Sequence, residues 1–86
     1  MPEISRFLGI IIKMYFDEHN PPHFHAYYGE HSASVSITNF KVLNGKLPKK
    51  VEAVILKWAK RYKKELQENW KLMEERKSPH KIPSLQ

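Results

Sequence analysis

Four of the five histidines, His19, His23, His25 and His31, stand within a short stretch of the first half of the chain. The sharpest pattern among them is His23–Phe24–His25. On an extended strand, alternate residues share a face, so the two imidazoles project from the same side, about 6.5–7 Å apart along the strand. Three functions can be built on that pair. Imidazoles ionise near neutrality and can act as base and acid in cleaving RNA, with the ribose 2′-OH as the attacking group. Lys13 would then stabilise the charge that develops on the phosphate. Tyr15 and Tyr27 would stack a base or hydrogen-bond the phosphate. This acid–base reading needs no cofactor. Alternatively the pair supplies two metal ligands. A third would come from Asp17, Glu18, His19, Glu30 or His31, and the spacing does not choose among them. In the third reading the same His- and Tyr-bearing face docks a partner without catalysis, or pairs with a second copy through Phe7 and Ile11.

The surrounding segments must position these groups. Residues 8–16 alternate, with Leu8, Ile10, Ile12, Met14 and Phe16 on one side and Phe7, Gly9, Ile11, Lys13 and Tyr15 on the other, which predicts a strand. Asp17–Glu18–His19–Asn20–Pro21–Pro22 breaks it, because consecutive prolines have no N–H to give to a sheet ladder. Residues 23–28 form a second strand, with Phe24, Ala26 and Tyr28 opposite His23, His25 and Tyr27. Gly29–Glu30 is a tight turn. Residues 32–38 form a third strand with Ala33, Val35 and Ile37 inward, and residues 40–43 a short fourth, ended by Asn44–Gly45.

The period then changes. Val51, Ile55, Trp58, Tyr62, Leu66, Trp70 and Met73 recur every three or four residues, a single apolar helical stripe. It predicts one helix from about Pro48 to Arg76, with a kink near residues 62–64 where positive charge is densest. Ser78–Pro79 ends it and leaves residues 79–86 as a tail with little to pack. The predicted architecture is α+β: a three- to four-stranded antiparallel β-meander packed on one long C-terminal helix in two layers. Residues 1–78 make the single domain.

Composition sets the outer bounds. The 86 residues carry 41% hydrophobic and 28% charged side chains, as a small globular domain does. The absence of cysteine excludes a disulfide framework, a thiolate zinc site and a Cys nucleophile. No apolar run approaches the ~18 residues of a membrane span. The opening Met1–Pro2–Glu3 has no basic stretch of a signal peptide, so a cytoplasmic address is expected. The formal net charge of +6 is uneven. Arg6 and Lys13 face four acidic residues before residue 41, whereas thirteen Lys and Arg face five Glu from residue 41 onward. Around the middle of the helix, Lys57, Lys60, Arg61, Lys63 and Lys64 cluster. Glu65 and Glu68 pair with Arg61 and Lys64 at helical spacing, as on a solvated face. Arg61 and Lys64 are nonetheless the cations to assign to a phosphate-bearing substrate.

The string Asn20–Pro21–Pro22–His23–Phe24–His25 resembles the bacterial and archaeal domain-of-unknown-function family numbered 4160. The likeness extends over nearly the whole chain: Pro2–Glu3–Ile4–Ser5–Arg6–Phe7, Gly9–Ile10, Met14–Tyr15, Tyr28, Gly45–Lys46–Leu47–Pro48, Trp58 and Asn69–Trp70. That family has no established activity. Its members often stand beside, or are fused to, another small uncharacterised domain (family 2442), in an arrangement like a toxin–antitoxin pair. The resemblance therefore implies a toxin-like component with a small antitoxin-like partner. Its basic helix departs from the acidic or mixed helix of many relatives.

These readings combine into one expectation. His23 and His25 form the acid–base pair, Lys13 stabilises charge, and Tyr15, Tyr27, Arg61 and Lys64 contact RNA. The rivals are a docking module and a His-based metal site.

Overall fold

Two successive residues with positive φ, Leu8 (50°) and Gly9 (77°), turn the chain back on itself near its start. Positive φ at both central positions is what a two-residue hairpin turn requires. The segment read as one strand is therefore a hairpin of β1 (Glu3–Phe7) and β2 (Ile10–Lys13), with Phe7 opposite Ile10. Leu8 falls in phase with the alternation of Ile10 and Ile12, so periodicity ran through the turn without a break. The correction moves two side chains. Leu8 is exposed at the turn and Phe7 is buried in the core, so Phe7 is not part of an open face.

A computed structural model describes residues 3–16 and 18–85. After the hairpin come β3 (His23–Tyr28), β4 (His31–Ser36) and β5 (Val42–Lys46). The five strands form one antiparallel sheet in chain order. The expected class is correct, with one more hairpin than expected. The last strand lies later than predicted: Asn44–Gly45 pairs with Ser34 and Ala33 inside β5 and does not end it.

The predicted helix is two helices, α1 (Lys49–Arg61) and α2 (Lys63–Glu74), which meet at Tyr62. Tyr62 has φ −109° and ψ 30°, outside the helical well. The bend lies where the kink was expected, and the apolar stripe continues through it. Ile55, Trp58 and Ala59 of α1 and Leu66, Trp70 and Met73 of α2 join Ile10, Ile12, Met14, Phe24, Ala26 and Val35 in one core. Trp58 lies at its centre, its ring 5.5 Å from Phe7 and 5.7 Å from Phe24. No helix among the described residues is long and apolar enough to cross a membrane.

The segment after the helices is packed, contrary to expectation. The Asn69 side chain is buried and makes two hydrogen bonds with the backbone of His80, at 2.9 and 2.8 Å. The Trp58 indole donates to the Pro83 carbonyl at 2.9 Å. The Ile82 N–H donates to the Ile4 carbonyl at 2.7 Å, and the Ile82 side chain is buried. Residues 80–83 thus strap both helices to strand β1, satisfying polar groups that would otherwise be buried without partners.

Strand β5 depends on one glycine. Gly45 has φ 82°, and a Cβ there would lie 2.2 Å from the Ser32 carbonyl oxygen and 2.8 Å from Ala33 Cα. Both are backbone atoms of the paired strand and cannot move aside cheaply. Gly45→Ala should lower unfolding free energy by about 2 kcal/mol or more, read by urea denaturation. A loss near zero would contradict this close approach.

Candidate functional site

Register brings the chemistry together. Strand β3 lies between β2 and β4, with Lys13 opposite His25 on one side and Ser34 opposite it on the other. Phe24 and Ala26 point into the core, and His23, His25 and Tyr27 project from the other side. The loop between β2 and β3 returns over this side and carries Glu18.

Glu18 is the hub. Its Oε1 meets His25 Nε2 in a short contact and lies 3.4 Å from His23 Nε2. The two imidazole rings lie 5.1 Å apart, edge to face. One ligand atom from each of Glu18, His23 and His25 falls within 4.8 Å of the others. The remaining ring nitrogens are held from behind. His23 Nδ1 donates to the Pro21 carbonyl at 2.7 Å, which leaves Nε2 of the neutral ring with its lone pair toward Glu18. His25 Nδ1 faces the Ser34 hydroxyl at 3.4 Å. The side chains of His23, His25 and Glu18 are 12%, 23% and 27% exposed, so the group is sheltered but reachable.

The other candidates are sorted by the same geometry. Tyr15 and Tyr27 share a hydrogen bond between hydroxyls at 2.6 Å, and the Tyr15 ring meets His25 edge-on at 4.9 Å. Lys13 Nζ lies 5.4 Å from the centre of the Tyr27 ring. These three therefore border the histidines, as the sequence predicts. Arg61 and Lys64 do not. Arg61 stacks on Tyr62 at the helix junction, 5.6 Å from the ring centre, and Lys64 is exposed on the first turn of α2. Trp70, which touches the His23 ring at 5.3 Å, is roughly 9 Å further along that helix. Of the four candidate third ligands among the described residues, Glu18 is the one that converges. Glu30 and His31 lie at the far turn of the β3–β4 hairpin, where His31 pairs with Tyr28. His19 is exposed. Asp17 lies outside the described residues. Ser36, which alternates with the inward Val35 and Ile37, is itself buried and accepts from the N–H groups of Thr38 and Asn39 in the turn before β5.

A cavity of about 260 Å³ opens beside the histidines, lined by Tyr15, Glu18, Trp70, Met73, Glu74 and Arg76. Sequence reasoning missed its helical wall, because Trp70 and Met73 lie on the apolar stripe and read as core, which they also are. Arg76 carried one local oddity that only structure reveals, a φ of 62°.

A family model described as "Domain of unknown function (DUF4160)" matches residues 9–71. No curated protein matches the chain. No solved structure matches it either.

Burial, with the hydrogen bond to Tyr27 and the charges of Tyr27 and Glu18, pushes the Tyr15 phenol up to about 12. In the unfolded chain it ionises near ~10. The resulting stabilisation is present in full below pH ~10 and is lost as pH rises through about 12. Alkaline denaturation should therefore steepen over this window. Tyr15→Phe should flatten the curve, and an unchanged curve would contradict the burial of this hydroxyl.

Proposed function

The chain belongs to the DUF4160 family, and for it we propose that Glu18, His23 and His25 bind a divalent transition-metal ion. The observation that carries this reading is the convergence of three ligand atoms within 4.8 Å, each from a different residue. Two imidazole nitrogens and one carboxylate form a ligand set suited to Zn²⁺, Fe²⁺, Co²⁺ or Ni²⁺. The hydrogen bond from His23 Nδ1 to Pro21 is the outer support that orients a metal-ligating imidazole. His25 and Glu18 would share a proton without the ion, and the ion replaces it. Three protein ligands leave positions for water or substrate. A metal-bound water becomes a competent nucleophile near neutral pH, so hydrolysis is the reaction class that fits.

A second reading keeps the toxin-like function on RNA, with a small antitoxin-like partner. It is supported by the contact between His25 and Glu18, which equips His25 for proton transfer without a metal, and by Lys13 nearby. The metal reading is preferred because both Nε2 atoms aim at one oxygen. An acid and a base acting on opposite sides of a phosphodiester would need to be aimed apart.

Calorimetric titration with Zn²⁺ decides between them. One ion per chain should bind to the wild type. Glu18→Gln should weaken binding by tenfold or more, and His23→Ala/His25→Ala should abolish it. At about 100 times Kd the ion should add ~2.7 kcal/mol to stability, raising Tm by about 10 °C or more. Absence of saturable binding would overturn the metal reading. If the wild type then arrested growth of a bacterial host and the double variant did not, the metal-free activity would stand in its place.

A further inference from the structure

The cavity beside the histidines shares Glu18 with them, and its Trp70 wall touches His23. A ligand in this cavity is therefore a neighbour of whatever the three side chains hold. Its lining has two parts. Tyr15, Trp70 and Met73 offer flat and polarisable apolar surface, suited to an aromatic ring. Glu18, Glu74 and Arg76 are charged. Among the described lining residues two carboxylates stand against one guanidinium, a net negative charge that repels anions. A divalent ion on Glu18 reverses that sign.

Arg76 supplies an independent observation. It sits just past the end of α2, where the N–H of Lys77 bonds the carbonyl of Leu72 at 2.8 Å and its own N–H bonds that of Met73 at 3.1 Å. This terminating pattern uses a left-handed residue at the Arg76 position, usually glycine. An arginine there, at φ 62°, holds a backbone conformation that side chains with a Cβ rarely adopt. Arg76 also lines the cavity. Arginine forks match the paired oxygens of phosphate and carboxylate groups.

We propose that the cavity binds a small aromatic anion, its phosphate or carboxylate oxygen on the metal and Arg76, and its ring against Tyr15, Trp70 and Met73. The inference rests on the metal reading above. It deepens that reading by naming the ligand class and by making anion binding conditional on the ion. The volume of about 260 Å³ suits a single ring with its acid group. It lies below the ~300–1,000 Å³ of sites for drug-sized molecules.

The test uses full-length protein labelled with ¹⁵N, whose two indole N–H signals report Trp58 and Trp70 separately. Zn²⁺ loading is first verified by calorimetry, so a failure to bind metal is seen on its own. Phenyl phosphate, benzoate and phenol are then titrated. Phenyl phosphate or benzoate should shift the Trp70 indole signal and leave that of Trp58, whose N–H is held by Pro83. The tighter of the two identifies phosphate or carboxylate as the natural group. Phenol, without the charge, should bind at least tenfold more weakly. The zinc-free protein should bind both anions at least tenfold more weakly than the zinc form. Arg76→Gly suits the left-handed position and should keep the fold and Zn²⁺ binding while weakening anion binding several-fold. Zinc-loaded protein with no Trp70 shift would overturn the inference. So would equal affinity with and without zinc, or Arg76→Gly affinity equal to wild type.

Discussion

Everything at the candidate site follows from the register of one central strand. Strand β3 is paired on both sides, and its alternation sends Phe24 and Ala26 into the core and His23, His25 and Tyr27 outward. A slip of one residue would bury the imidazoles and expose the phenylalanine. Phe24 packs on Trp58, so the helix layer holds the register that places the histidines. The hydrophobic effect on one side of the sheet thus fixes polar geometry on the other.

Given that register, the loop after β2 needs to supply only one carboxylate. Glu18 lies against both imidazoles, and Pro21, just before β3, turns His23 with its carbonyl. The end of α2 closes the same region through Trp70, Met73 and Arg76. The bend at Tyr62 divides the helical layer, with the first helix on the sheet core and the second reaching the histidines. The strap at residues 80–83 ties both helices to the first strand, so the wall of the cavity is anchored at its base.

Much of this was legible in the residues. The alternation of 23–28 and 32–38 carried the central hairpin, and the outward set Lys13, Tyr15, His23, His25 and Tyr27 is the set the fold brings together. The helical stripe was also legible, because its spacing continues across the bend. What escaped reading was local conformation that leaves the period intact. The Leu8–Gly9 turn falls in phase with its flanks. Gly45 looks like a strand terminator, yet serves as the point of closest approach between two strands. Glu18 stood among five candidates because loop geometry has no period. The strap was signalled only by Asn69, a polar residue set against the buried stripe and satisfied by His80.

The central claim is that the three ligand atoms are arranged before a metal arrives. Long-range ¹H–¹⁵N correlation spectra of the imidazole rings, with and without Zn²⁺, test it most directly. Nitrogen shifts distinguish bare, protonated and metal-bound positions of each ring. The account predicts that His23 is already protonated at Nδ1 in the metal-free protein, as its bond to Pro21 requires. On adding Zn²⁺, both His23 and His25 should become metal-bound at Nε2. Coordination through Nδ1, or Zn²⁺ taken up by His19, His31 or His80 with these two rings unchanged, would contradict it.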